Sequence, residues 1–178
     1  MKRIKQTGLD QVGGKAYHLL KMQAAGLPVP DFAVFAFDFF QKSASSADLE
    51  RMEEAYRSGE LDLSQLSQQL QDWAKEQFAQ EDLTAAENWI HQEFSQTDCR
   101  FAVRSSATIE DGKTSSFAGQ FESQLNVSAE GLKEAIQATL LSLYQESALN
   151  YLFEQGLSLK QAQMICLVQV MQEGDLSG

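Results

Sequence analysis

Near the end of the chain, Met164-Ile165-Cys166-Leu167-Val168-Gln169-Val170-Met171 runs with a single polar interruption. It falls far short of the ~20 apolar residues that cross a bilayer as a helix. Bounded as it is, it reads as a strong strand, so the fold must contain a sheet. Phe32-Ala33-Val34-Phe35-Ala36 is a second compact apolar run suited to a buried strand, and Phe101-Ala102-Val103 is a shorter one that delivers Arg104 into a loop. Gln120 to Val127 alternates, with Phe121, Ser123, Leu125 and Val127 on one side and Glu122, Gln124 and Asn126 on the other, the pattern of a half-buried strand.

Helical periods fill the intervals. Ala16, Leu19, Leu20 and Met22 follow Gly13-Gly14-Lys15, and Gly26, Pro28 and Pro30 punctuate the end. Phe37 to Lys42 reads as a short helix. From Ser43 to Asp98 the composition shifts to Glu, Gln, Asp and Ser, and Leu66, Leu70, Trp73, Ala74 and Phe78, then Ala86, Trp89, Ile90 and Phe94, recur at helical spacing as core-facing stripes. This reads as a helical insertion or outer layer at about 43–98. Ser128 is placed to N-cap a helix striped by Leu132, Ile136, Leu140, Leu143 and Tyr144, and a second helix runs from Ser147 to Glu154 and stops at Gly156. The order is helix, strand, helices, strand, loop, strand, helices, strand: an α+β, mixed α/β lobe built on a small mixed sheet with flanking helices.

The 178 residues, 43% of them hydrophobic, are enough for one good core. The basic start, Met1 to Gln6, has no apolar stretch behind it, so no secretory signal or membrane span is expected and a cytoplasmic protein is the default. Cys99 and Cys166 are too few for a disulfide framework and lack the neighbours of a zinc site, and they read as reduced packing thiols. A net charge of −11 argues against nucleic acid, whose phosphates need dense Lys and Arg. The same charge repels a free nucleotide, so any phosphate site must gather local cations, with Mg2+ offsetting part of the ligand's charge.

Lys15 and Arg104 meet that requirement, because each stands beside glycine or hydroxyl residues. The glycines before Lys15 open a helix, where unpaired N–H groups and the dipole favour an anion. Lys15 opposes that dipole, and a nearby anion would account for it. A solvated lysine on an N-terminal turn remains the competing reading, as does an ordinary hairpin for the stretch after Arg104. This is not a Walker A loop: its first glycine would fall at Leu9, and Ala16 takes the Ser/Thr position. His18 and His91 lack a metal-ligand or nucleophile context, and no metal site is assigned in this chain.

Three blocks together carry a resemblance: V-G-G-K-A-Y-H-L-L-K-M-Q-A-A-G-L-P-V-P-D-F at Val12 to Phe32, F-A-V-R-S-S-A-T-I-E-D-G-K-T-S-S-F-A-G-Q-F-E-S-Q-L-N-V at Phe101 to Val127, and L-V-Q-V-M-Q-E-G-D-L-S-G at Leu167 to Gly178. In order and separation they resemble the N-terminal nucleotide-binding domain of the phosphoenolpyruvate synthase and pyruvate phosphate dikinase family. The wording S-S-A-T-x-E-D followed by S-F-A-G-Q is similar to the phosphoenolpyruvate synthase and rifampicin phosphotransferase branches. The resemblance implies the first lobe of an ATP-grasp fold closing over Mg-ATP. Lys15 looks like the lysine that reaches the phosphates, and Arg104 like the arginine beside it. Ser115, Ser116, Phe117, Ala118 and Gly119 resemble the loop that closes over the phosphates, and Gln169, Val170 and Met171 the hinge where backbone groups bond the adenine edge.

The rest of the family's machinery is expected outside residues 1–178, with the chain cut before the second ATP-grasp lobe. The metal-binding carboxylate and amide belong to that lobe, and the phospho-accepting histidine to a separate swivelling domain. The implied function is the ATP-binding lobe of a pyruvate, water dikinase, with pyruvate as final acceptor and the isolated chain inactive. The alternatives are a rifampicin phosphotransferase-like enzyme with another acceptor, or a non-catalytic nucleotide-binding module.

Overall fold

The computed structural model describes residues 2–4, 9–37, 42–94, 99–107 and 123–172. Five strands form one sheet in the order β1-β2-β5-β3-β4: β1 (Lys2–Ile4), β2 (Phe32–Ala36), β3 (Phe101–Ala107), β4 (Ser123–Val127) and β5 (Met164–Val170). Helix α1 (Leu9–Ala24) lies between β1 and β2; α2 (Ser43–Arg57), α3 (Leu63–Ala79) and α4 (Thr84–Phe94) lie between β2 and β3; α5 (Leu132–Leu141) and α6 (Glu146–Glu154) lie between β4 and β5.

The α+β class stands, but the expected mixed sheet is antiparallel at every described pairing. The reason lies in β5. The long helical crossover from β2 to β3 leaves those strands parallel to each other but not adjacent. Then β5, the last and most apolar strand, slots between them and runs antiparallel to both.

Alternation along the strands divides the core in two. Phe32, Val34, Ile165 and Leu167 face α1 and pack with Val12 and Ala16. Ala33, Phe35, Phe101, Val103, Cys166 and Val168 face the larger helical layer and join Leu66, Leu70, Trp73, Trp89, Ile136, Leu140 and Leu149 in one cluster. The molecule is thus three layers: α1, the sheet, and α2–α6. Both apolar faces of β5 are covered, which is why it reads as a nearly continuous apolar run. Cys166 lies buried within it and Cys99 is half-buried, and neither is in a disulfide.

Helix ends follow their local chemistry. Gly26 takes φ 73° and closes α1 with bonds from Gly26 N–H to Gln23 O and from Leu27 N–H to Met22 O, so two otherwise unpaired carbonyls are satisfied. At the start of α3, Asp62 accepts from Gln65 N–H at 2.8 Å while Gln65 Oε1 accepts from Asp62 N–H at 2.9 Å, a reciprocal cap. Ser128 does not cap α5, whose N-cap is Gly131. Its Oγ accepts instead from Gly131 N–H at 3.3 Å and closes a turn ahead of the helix. The short helix expected at 37–42 falls largely outside the described residues.

Two strand readings change. β3 does not stop at Arg104 but continues through Ser105, Ser106 and Ala107, in register with Cys166, Ile165 and Met164. Small hydroxyl residues look like a loop in sequence, yet they extend a strand when a neighbour pairs their backbone and a layer buries them. The alternation of β4 also breaks, because the register slips between Phe101↔Val127 and Val103↔Gln124 and Asn126 adopts φ 58°. This bulge turns Leu125 outward, 58% exposed, while Val127 packs against the core. No helix among the described residues is long and apolar enough to cross a membrane.

Candidate functional site

The site forms where α1, restarting after a break at Gly13, meets β3. Gly13 has φ 66° and ψ 166°, so helical geometry breaks there and resumes at Gly14-Lys15-Ala16. The break lets the backbone come very close to the strand: a Cβ on Gly13 would lie 2.7 Å from both Ala107 O and Ser106 Oγ. Ser106 bridges the break, donating to Val12 O at 2.7 Å and accepting from Ala16 N–H at 3.4 Å.

Lys15 is exposed along its side chain, and its Nζ donates to Ser105 O at 3.1 Å and to Ser105 Oγ at 3.4 Å. Both acceptors are neutral groups on β3. The next residue along that strand is Arg104, the one exposed position in the burial pattern of β3. By alternation with Ser106, which contacts α1, Arg104 points to the α1 face. No described carboxylate forms an ion pair with it. Arg104 thus stands next along β3 to the serine that Lys15 Nζ contacts, although the two cations are far apart in the chain.

The adenine-side residues divide. Gln169 is half-buried on the α1 face, between Phe32 and Ala102 in register and one diagonal step from Arg104, about 7–8 Å by sheet geometry. Val170 is buried on the opposite face, in the larger core. Met171 follows the strand, 39% exposed, with its Sδ accepting from Asn126 N–H at 3.1 Å. Val170 N–H donates to Asp31 O and Met171 N–H to Arg100 O, each at 2.8 Å. Ser115, Ser116, Phe117, Ala118 and Gly119 lie outside the described residues.

Sequence reasoning missed Ser105, Ser106 and the close approach of Gly13. The signal was present as two serines directly after an arginine in a β-capable run, since hydroxyls that end up buried must find partners. It also missed Glu53, a nearly buried carboxylate that accepts from Arg57 Nε and from Leu159 N–H at 2.8 Å each, tying α2 to the turn before β5. Among the described residues, no three His, Cys, Asp or Glu side chains gather as metal ligands.

Comparison with known proteins follows this geometry. Phosphoenolpyruvate synthase of Escherichia coli (strain K12) is 32% identical over 95% of this chain and 23% of its own length. The probable phosphoenolpyruvate synthase of Methanothermobacter thermautotrophicus is 27% identical over 98% of the chain and 28% of its own length. Rifampicin phosphotransferase of Streptomyces sviceus is 29% identical over 96% of the chain and 20% of its own length. The chain thus spans less than a third of each of these relatives. Residues 9–178, which include the α1 start, β3 and β5, match the family described as pyruvate phosphate dikinase, AMP/ATP-binding domain, and the chain belongs to that family.

Proposed function

We propose that this chain is the first ATP-binding lobe of a phosphoenolpyruvate synthase-like dikinase, and that the α1 face of its sheet receives the nucleotide phosphates. The observation that carries the reading is Lys15 of α1 resting on Ser105, with the exposed Arg104 next to that serine on β3, in a protein of net charge −11. The positive end of the helix dipole after Gly13 favours an anion, and Lys15 and Arg104 add full charges beside Ser105. In this reading Lys15 exchanges its contacts with Ser105 for a phosphate oxygen. Arg104 offers a planar fork that grips two oxygens at once.

Ser115, Ser116, Phe117, Ala118 and Gly119 close over those phosphates in this reading. The adenine edge meets backbone groups at Gln169, Val170 and Met171, with apolar side chains covering its face. Mg2+, held by ligands on a second ATP-grasp lobe, would offset part of the phosphate charge against the acidic chain. The full enzyme then passes a phosphoryl group to a histidine on a separate domain and on to pyruvate. In that step the lobe orients and neutralises and performs no covalent chemistry itself. A cytoplasmic setting suits this chemistry.

A second reading keeps the site and changes the acceptor, supported by the 29% identity to rifampicin phosphotransferase. ATP-dependent labelling of the full-length protein tests both. Arg104→Ala should abolish most transfer of label from ATP to histidine, and undiminished labelling would remove the role given to Arg104. Chase of the label into pyruvate, or failure to do so, separates the two acceptors.

A further inference from the structure

We propose that Ser106 is a positioning residue for the nucleotide: its buried hydroxyl holds the start of α1 on β3 and so sets where Lys15 delivers its charge. The proposal rests on the reading of the α1 face as the phosphate site. Ser106 is 0% exposed, so its hydroxyl has no water to satisfy it and its hydrogen bonds matter in full. Those bonds straddle the break in α1, to Val12 O before Gly13 and from Ala16 N–H after it. At that point the helix cannot satisfy these groups itself, because Gly13 departs from helical geometry. A strand residue therefore serves as the cap in trans.

The fit is tight on the other side as well. Gly13 approaches Ser106 so closely that a Cβ would fall 2.7 Å from Ser106 Oγ, so hydroxyl and glycine form one interlock. Lys15 lies directly before Ala16, and its amine rests on Ser105, directly before Ser106. Removing the hydroxyl leaves a buried carbonyl and a buried N–H without that partner, and the Gly13–Ala16 segment is freed to shift. A displacement of about 1 Å at a phosphate contact is enough to weaken binding substantially.

The test uses the full-length protein, titrated calorimetrically with Mg2+ and a non-hydrolysable ATP analogue, with thermal unfolding recorded for every variant. S106A and the shape-preserving S106C should raise Kd about ten-fold, and S106T, which keeps the hydroxyl, should restore most of the affinity. In a K15A background, S106A should add little, because its effect runs through Lys15. An unchanged Kd in S106A and S106C would overturn the proposal, and so would a ten-fold loss that persists undiminished on top of K15A. Should S106A fail to fold, S106C against S106T decides the same point. If K15A itself leaves Kd unaltered, the phosphate-site reading fails, a result distinct from failure of the role given to Ser106.

Discussion

Gly13 and Cys166 show how far single residues are dictated by what packs over them. At φ 66° and ψ 166°, Gly13 occupies a region almost reserved for glycine, and its missing side chain faces backbone oxygen. Gly13→Ala should cost at least about 2 kcal/mol, read as a lower urea midpoint, and a change within about 0.5 kcal/mol would mean the close approach is absent. Cys166 is held protonated by burial, which pushes its thiol well above the usual range. The unfolded chain ionises this thiol from about pH 8.5 while the folded chain does not, so its contribution to stability declines as pH rises beyond that point, by up to about 1.4 kcal/mol per unit. Cys166→Val should flatten the fall in unfolding free energy between pH 8 and 10, and identical slopes in both proteins would refute the assignment. Of these residues the sequence displayed Lys15 and Arg104, because isolated cations beside small residues stand out in an acidic chain. It hid Ser106, because a serine's role depends on which backbone folds against it.

At the scale of elements, the helices were legible and the strand limits were not. The stripe Leu66, Leu70, Trp73, Ala74 and Phe78 reports one buried face of α3 whatever that face meets, and all five are buried. β3 depends on β5 for its last residues, so Ser105 and Ser106 could not be distinguished from a loop before the pairing was known. The bulge in β4 reversed Leu125 for the same reason, since register belongs to a pair of strands and not to one. The reciprocal cap at Asp62 gives an independent check on the helical layer. Asp62→Ala should destabilise the protein by about 1 kcal/mol, seen in chemical denaturation, while leaving nucleotide affinity unchanged. A loss of affinity would tie α3 to the site, which the three-layer arrangement does not.

Across the whole molecule, the sheet separates two jobs. Its larger face builds stability with α2–α6, and its smaller face holds α1 and the two cations. That sheet is completed by β5 entering between β2 and β3, a topological event that no local pattern announces. The resemblance between the family blocks and this chain named the site's parts, while the structure supplied the interlock that joins them. Hydrogen exchange of the full-length protein with and without Mg-ATP tests this division most directly. The account predicts added protection at residues 12–16 and 99–107, with α2 and α3 unchanged. Protection confined to α2 and α3, with none at the α1 start, would contradict it.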